Sequence, residues 1–301
     1  MRPAIVTIVL LFSSHLCLAQ DFQAQFKAAG SKSDTAKQSE ILLLWEKSAP
    51  TDAELFTSRF NYHFNKAEKE VVQITTYQPR NVESLLVSDS LGRPAGYMWS
   101  TIDYDVSEVK KGIDVIDKGI ALHPNRLDMR FGKVYVLGRI SHWAEFTTAI
   151  VETVEYSGEN KNQWTWTKNA VKEDGENFLL SSIQTYQLQL YNTENDSLLV
   201  NMQEIANAIL AIYPNHIESL SNLSITYLLA GDYDAGIIPL LKAEQIDPKD
   251  AIVLSNIARA YVLKQDKANA LVYYKKVIAL DDFQTKDYAE EQIRMLESVE
   301  D

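Results

Sequence analysis

The sequence predicts an all-α protein, an α-solenoid of about six stacked helix pairs with one small β-hairpin inserted. Three observations predict it. Helical runs end in the same way at widely separated places: "SAP" at Pro50, "ALHPNR" at Pro124, "AIYPNH" at Pro214 and "QIDPKD" at Pro248. Proline lacks the N–H a continuing helix needs and pushes the preceding residue out of the α region, so each is a clean stop. The stops also recur: Pro214 and Pro248 stand 34 residues apart, and another 34 reaches Asp282 in "ALDDFQ". That spacing is the signature of a helix-turn-helix array. Third, apolar residues between the stops fall at i, i+3, i+4 and i+7, the stripe of one helix face.

The chain opens with "MRPAIVTIVLLFSSHLCLAQ", in which Arg2 precedes an uncharged, mostly apolar run from Ala4 to Phe12 and small residues stand at Cys17 and Ala19. This is the layout of a cleaved export signal over residues 1–19. The run is too short to span a bilayer, and no later stretch is long and apolar enough. Cys17 is the only cysteine and lies inside the leader, so the expected mature chain has no disulfide and no thiolate ligand. Leu16 immediately before Cys17 argues against lipid attachment there. The chain carries a net charge of −12, one unit more negative without Arg2. That sign repels phosphate backbones, and nucleic acid is not an expected partner.

Residues 20–156 read as degenerate helical repeats. "ILLLWEKSAP" closes a helix at Pro50, and "DAELFTSRFNYHF" opens the next pair with a helix running to about Gln73. An insertion follows near 77–104. Leu85 to Val87 and Tyr97 to Trp99 are short β-type runs, and "DSLGRPAG" between them supplies the Asp, Gly and Pro of a turn, so a hairpin is expected. "DVSEVKKGIDVIDKGIAL" then places Val109, Ile113, Ile116 and Ile120 on one helix face, and Leu127 to Tyr156 reads as two helices around Gly138 to Ser141. Ser157 to Asn177 is polar and rich in Gly and Asn, a loop containing Trp164 and Trp166.

Residues 178–284 carry the clearest repeats. A first helix spans about Phe178 to Tyr191, and Met202, Ala206 and Ile209 occupy a second before Pro214. The unit 217–250 has Leu220, Leu223, Ser224 and Tyr227 on its first helix, a turn at "AGDYD", then Gly236, Leu240 and Ala243. The unit 251–284 repeats this with Leu254, Ile257, Ala258 and Tyr261, then Ala270, Tyr274 and Val277. Small residues recur where helices approach closely and large ones where they wedge. Ala289, Ile293 and Leu296 in the final 285–301 have the spacing of a capping helix.

These two units resemble tetratricopeptide repeats (TPR). They largely keep that family's large, aliphatic, small, Tyr, small, large, small, Pro order; the Trp and first Gly of the common pattern are replaced, and Val277 and Asp282 depart further in the second unit. The resemblance, to secreted bacterial TPR-containing proteins in particular, implies a concave wall made by first helices that holds an extended peptide or a partner's helix. On that wall it implies Ser221, Asn222 and Ile225, then Ser255, Asn256 and Arg259, with Glu218, Leu229 and Leu263 beside them. Asn222 and Asn256 share the repeat position where the family often places an Asn that bonds a ligand's backbone. The cations that clamp a peptide's terminal carboxylate in some members are missing, with Arg259 alone in reach.

Chemistry is sparse. Outside the leader the histidines are His63, His123, His142 and His216, none in a catalytic motif or at zinc spacing. His123 and His216 stand at helix ends beside prolines, where a partial positive charge suits the helix dipole. Asp128 reads as a cap or the partner of a basic neighbour. Trp164 and Trp166 are either platforms for a sugar or peptide or anchors for their loop. No cofactor and no metal is expected. The expected protein is a non-catalytic protein- or peptide-binding scaffold exported to the periplasm of a Gram-negative bacterium. One rival is a cell-envelope or carbohydrate-uptake accessory gripping a glycan or outer-membrane partner through the hairpin or the tryptophan loop. The other is a hydrolase using groove carboxylates.

Overall fold

The computed structural model describes residues 22–79, 82–281 and 285–298. The expected export signal, Cys17 and Asp282 lie outside them. Among the described residues, six consecutive helix pairs and a further helix account for most of the chain, with two small sheets. The all-α solenoid class is therefore what the structure shows. The described residues fall into two compact units, 22–136 with 165–171, and 137–164 with 172–298.

The first unit contains α1 (22–30), α2 (Thr35–Ser48), α3 (Ala53–Ala67), α4 (Val106–Leu122) and most of α5 (Leu127–Arg139). Phe26, Ile41, Leu42, Trp45 and Leu55 form its first core cluster. Trp45 is fully buried, stacks on Phe22 and donates its indole N–H to Asp52 Oδ2 at 2.9 Å. Asp52 Oδ1 accepts from the Glu54 amide and caps α3. One side chain thus satisfies a buried donor and starts the next helix.

The insertion is larger than the sequence indicates. The helix expected to reach Gln73 ends at Ala67, and Glu68–Thr75 is a strand, β1. Val71, Val72, Ile74 and Thr75 are β-branched, which favours a pleated strand over a helix. With β2 (Leu85–Ser88) and β3 (Pro94–Tyr104) it forms an antiparallel sheet ordered β1-β3-β2. The expected β2–β3 hairpin is present. Asp89 Oδ1 accepts from the amides of Leu91 and Arg93, and Gly92 takes φ +75°, which glycine adopts without steric cost.

Below the sheet, Glu108 on α4 is 8% exposed and gathers His63 Nδ1 at 2.9 Å, Lys66 Nζ at 3.1 Å and Lys111 Nζ at 2.9 Å. The His63 hydrogen bond, then that of Lys111, hold its carboxyl at about 2 against an ordinary 4.5. A depressed carboxyl contributes stability above its unfolded value and loses it as pH falls towards the folded one. Glu108→Gln is expected to cost about 2 kcal/mol at neutral pH, discounting a larger linkage value for the half-exposed lysines. Urea unfolding at pH 7 and pH 3 checks this: the gap between the two proteins should narrow at pH 3, and a gap that does not change with pH would remove the ionic explanation.

The second unit contains α6 (Trp143–Asn160), α7 (Gly175–Tyr191), α8 (Leu199–Ile212), α9 (Ile217–Leu229), α10 (Tyr233–Ile246), α11 (Ala251–Leu263), α12 (Lys267–Ala279) and α13 (Lys286–Ser298). Leu220, Leu240, Ala243, Leu254, Ile257, Ala258, Tyr274 and Val277 are buried in one core cluster, against which Ile293 and Leu296 of α13 pack. Acidic caps punctuate the array: Asp232, Asp250 and Asp266 accept amide N–H groups in the first turns of α10, α11 and α12. Proline alone is not the stop signal, since Pro239 lies inside α10. After Pro50 and Pro248 the turn is coupled to an aspartate, Asp52 or Asp250, that caps the next helix.

The polar segment 157–177 contributes more helix than expected, for α6 reaches Asn160 and α7 begins at Gly175. Lys161 and Asn162 both adopt left-handed backbone at the end of α6. A Cβ on Gly175 would lie 2.3 Å from the Asn162 carbonyl, so only glycine fits that approach. His216 also departs from the dipole expectation. It is the N-cap residue of α9, the positive end, and burial lowers its pKa. His123, at the C-terminal end of α4, does face a negative helix end.

Candidate functional site

The first unit holds a cleft of about 470 Å³. Its walls come mostly from first helices of pairs: Gln23 and Lys27 on α1, Glu54, Phe60, Asn61 and Asn65 on α3, and Asp128 and Gly132 on α5. Gln38 and Ile116 come from second helices, and Trp166 and Thr167 from the loop after α6. Asn61 and Asn65 are exposed and one helical turn apart, so both amides reach the same opening.

One buried cation organises the cleft. The Pro124-Asn125 turn delivers Arg126 to the start of α5, where it is 1% exposed. Its Nε and Nη2 grip Asp128 at 2.8 and 2.7 Å in a bidentate pair. Nη1 reaches Glu54 Oε1 at 2.8 Å and Asn169 Oδ1 at 3.4 Å. Burial alone would lower the guanidinium pKa, but Asp128 and Glu54 outweigh it and raise the value, so the group stays charged. Glu54 is shared further, accepting from Gln23 Nε2 at 2.7 Å and from the Lys168 amide at 2.8 Å.

The same cluster fixes the tryptophan loop. Thr165 donates its amide to the Asn125 carbonyl at 2.8 Å, and Thr167 Oγ1 reaches Asp128 Oδ2 at 3.3 Å. Two-residue strands β4 (Thr165–Trp166) and β5 (Ala170–Val171) pair across a turn in which Lys168 and Asn169 have φ +60° and +55°. This sets the Trp166 indole edge-on to Phe131, half-buried at the cleft. Both carboxylates are occupied by Arg126, so the site offers held hydrogen-bond acceptors, amides and an aromatic wall, with no free acid–base pair.

The two tryptophans have different places. Trp164 is fully buried in the second unit, tilted against Tyr156, and its indole N–H points to Asn162 Oδ1 at 3.3 Å. A side chain with no exposed face anchors its loop and cannot meet a ligand. Asn162 Oδ1 also accepts from the Tyr213 hydroxyl at 3.0 Å, which lies 2.7 Å from Ser157 Oγ.

The expected groove residues of the second unit lie on α9 and α11. Ser221, Asn222, Ile225, Ser255 and Asn256 are half-buried and Arg259 is exposed. Asn222 Nδ2 donates to Gln184 Oε1 on α7, so this Asn already bridges neighbouring first helices. Sequence reasoning missed Gln23, Gln38, Asn61 and Asn65, because single amides on helix faces carry no motif. Asp128 does pair with a basic neighbour, Arg126.

One arrangement has the contacts of a nucleophile, base and acid. His216 Nδ1 is 2.8 Å from Ser219 Oγ and Nε2 is 3.2 Å from Glu218 Oε2. Ser219 is completely buried in the first turn of α9. A hydroxyl enclosed there cannot attack a substrate.

No protein-family model matches the sequence, and no curated protein matches it. Among solved structures it is similar to YrrB, described as a TPR protein with an unusual peptide-binding site, at 15% identity and a TM-score of 0.38 over 62% of this chain and 85% of that one. It is also similar to MamA at 14% identity and 0.36 over 60% and 98%, and to the TPR2AB domain of yeast Sti1 in complex with pHSP90 at 12% and 0.32 over 93% and 97%. At those values the likeness carries no functional argument. The fold is read from the chain's own helix pairs.

Proposed function

We propose that the chain is a non-catalytic binding scaffold that holds an extended segment of another protein in the cleft of its first unit, in the manner of tetratricopeptide repeats, and that it works after export to the periplasm. The observation that carries the binding reading is the cleft: first helices α1, α3 and α5 turn amides and ion-paired carboxylates towards a half-buried Trp166. An extended peptide presents backbone N–H and C=O groups along its length, and Asn and Gln side chains can meet both kinds. Export rests on the leader-like residues 1–19.

Peptides selected against the purified chain provide the test. Trp166→Ala combined with Asn65→Ala is expected to weaken the best binders at least about tenfold, or about 1.4 kcal/mol, while changing the thermal midpoint little. Unchanged affinity would move the site away from this cleft. A second reading, glycan binding by an envelope or carbohydrate-uptake accessory, draws on the same indole, since a sugar ring can stack on an aromatic face beside hydrogen-bonding amides. Binding on a glycan panel, lost in the same variant, would favour it over a peptide.

A further inference from the structure

The inserted sheet is the least buried part of the first unit. Every residue of β1 except Thr75 is exposed, including Val72 at 61% and Ile74 at 67%. Directly paired residues of antiparallel strands share a face. Ile74, Met98 and Leu85 therefore form one row across all three strands, with Val72 and Ile102 beside it. That face has a shallow hollow of about 500 Å³.

The two edges differ. β2 is four residues long with an irregularity between Val87 and Ser88, features that blunt an edge. β1 is eight residues long, contains no Pro or Gly, and among the described residues pairs only with β3. Its one lysine, Lys69, is held by Asp105 at 2.8 Å. An open edge of that length presents a row of backbone donors and acceptors that only another extended strand can match.

We infer that β1 pairs antiparallel with β1 of a second copy of this chain, joining two three-stranded sheets into one of six strands. The charge pattern selects this occupant. With a two-fold axis at Val72, Glu70 lies opposite Ile74, Lys69 opposite Thr75 and Val71 opposite Gln73, so no like charges face each other. Parallel pairing in register would stack Glu68 and Glu70 on their own copies. The two-fold arrangement also sets Val72 directly opposite Val72 of the second copy, with each Ile74 diagonal to the other copy's Val72, so the four apolar side chains meet on one face across the join. It is a closed contact, using one edge of each copy and leaving only the blunted β2 edges outside.

Sedimentation velocity of the purified chain from 1 to 200 µM, beside a Val72→Glu and Ile74→Glu double variant that sets like charges opposite each other at both positions, tests this directly. Both side chains point into solvent, so circular dichroism should be unchanged. The wild type is expected to be dimeric at the upper concentrations, with the variant's dissociation constant raised at least about thirty-fold by charges at the edge. Hydrogen exchange of the wild type needs no substitution: amides of residues 68–75 should gain protection as concentration rises. A wild type that stays monomeric, a dimer indifferent to the substitutions, or exchange in β1 that does not change with dilution would each overturn the inference.

Discussion

Replacing Arg126 by methionine is expected to destabilise the first unit by about 3–5 kcal/mol, because it strands two carboxylates without their cation. Asp128 loses a bidentate partner at 2.7 and 2.8 Å, and Glu54 loses Nη1 at 2.8 Å. Both carboxylates are nearly enclosed, so water cannot replace the guanidinium cheaply. The penalty belongs to the broken set rather than to the worth of the intact one. A triple variant, Arg126→Met with Glu54→Gln and Asp128→Asn, should therefore recover much of the loss. Urea unfolding followed by a probe confined to this unit measures it, since the units need not unfold together. Hydrogen exchange should also rise over residues 165–171, which lose the Asn169 and Asp128 contacts. A cost below about 1 kcal/mol, with no recovery in the triple variant, would mean that Arg126 is not the organiser described.

Trp164→Ala should be comparably damaging to the second unit, at about 3–5 kcal/mol, through the cavity left by a fully buried indole. In a unit of this size that corresponds to a fall of about 10 °C in its thermal midpoint. The indole packs on Tyr156, lies where a Cβ on Gly175 would come within 3.0 Å of it, and bonds Asn162. Trp164→Phe keeps most of the volume and leaves Asn162 Oδ1 its bond from Tyr213. It should cost about 1–2 kcal/mol. Calorimetry on both variants and Trp166→Ala separates the two tryptophans. An equal loss from Trp166→Ala would contradict their assignment as anchor and cleft wall.

Much of this architecture can be read without coordinates, and the parts that can share a cause. The repeat stripes of 217–250 and 251–284 are legible because each helix buries a face set by residues three and four apart in the chain. Leu220, Leu240, Leu254, Ile257, Tyr274 and Val277 are all buried where that periodicity puts them. The hairpin turn at Asp89 to Arg93 is similarly local, its carboxylate bonding amides two and four residues on. β1 was read as helix because it continues directly from α3. Its partner β3 begins some twenty residues later, and pairing over that separation leaves no mark on β1 itself except its β-branched residues.

The cleft lies further beyond a linear reading. Glu54, Arg126 and Asn169 come from three segments far apart in sequence, and none belongs to a motif. What the sequence by itself determined is the class: period, stops, caps and stripes depend on neighbours within one or two helical turns. Only the tertiary structure decided that Trp164 is enclosed and Trp166 faces a cleft, although they are two residues apart. On a regular strand residues i and i+2 would share one face; these two part because the packed helices offer each a different partner, Tyr156 of α6 to Trp164 and Phe131 of α5 to Trp166.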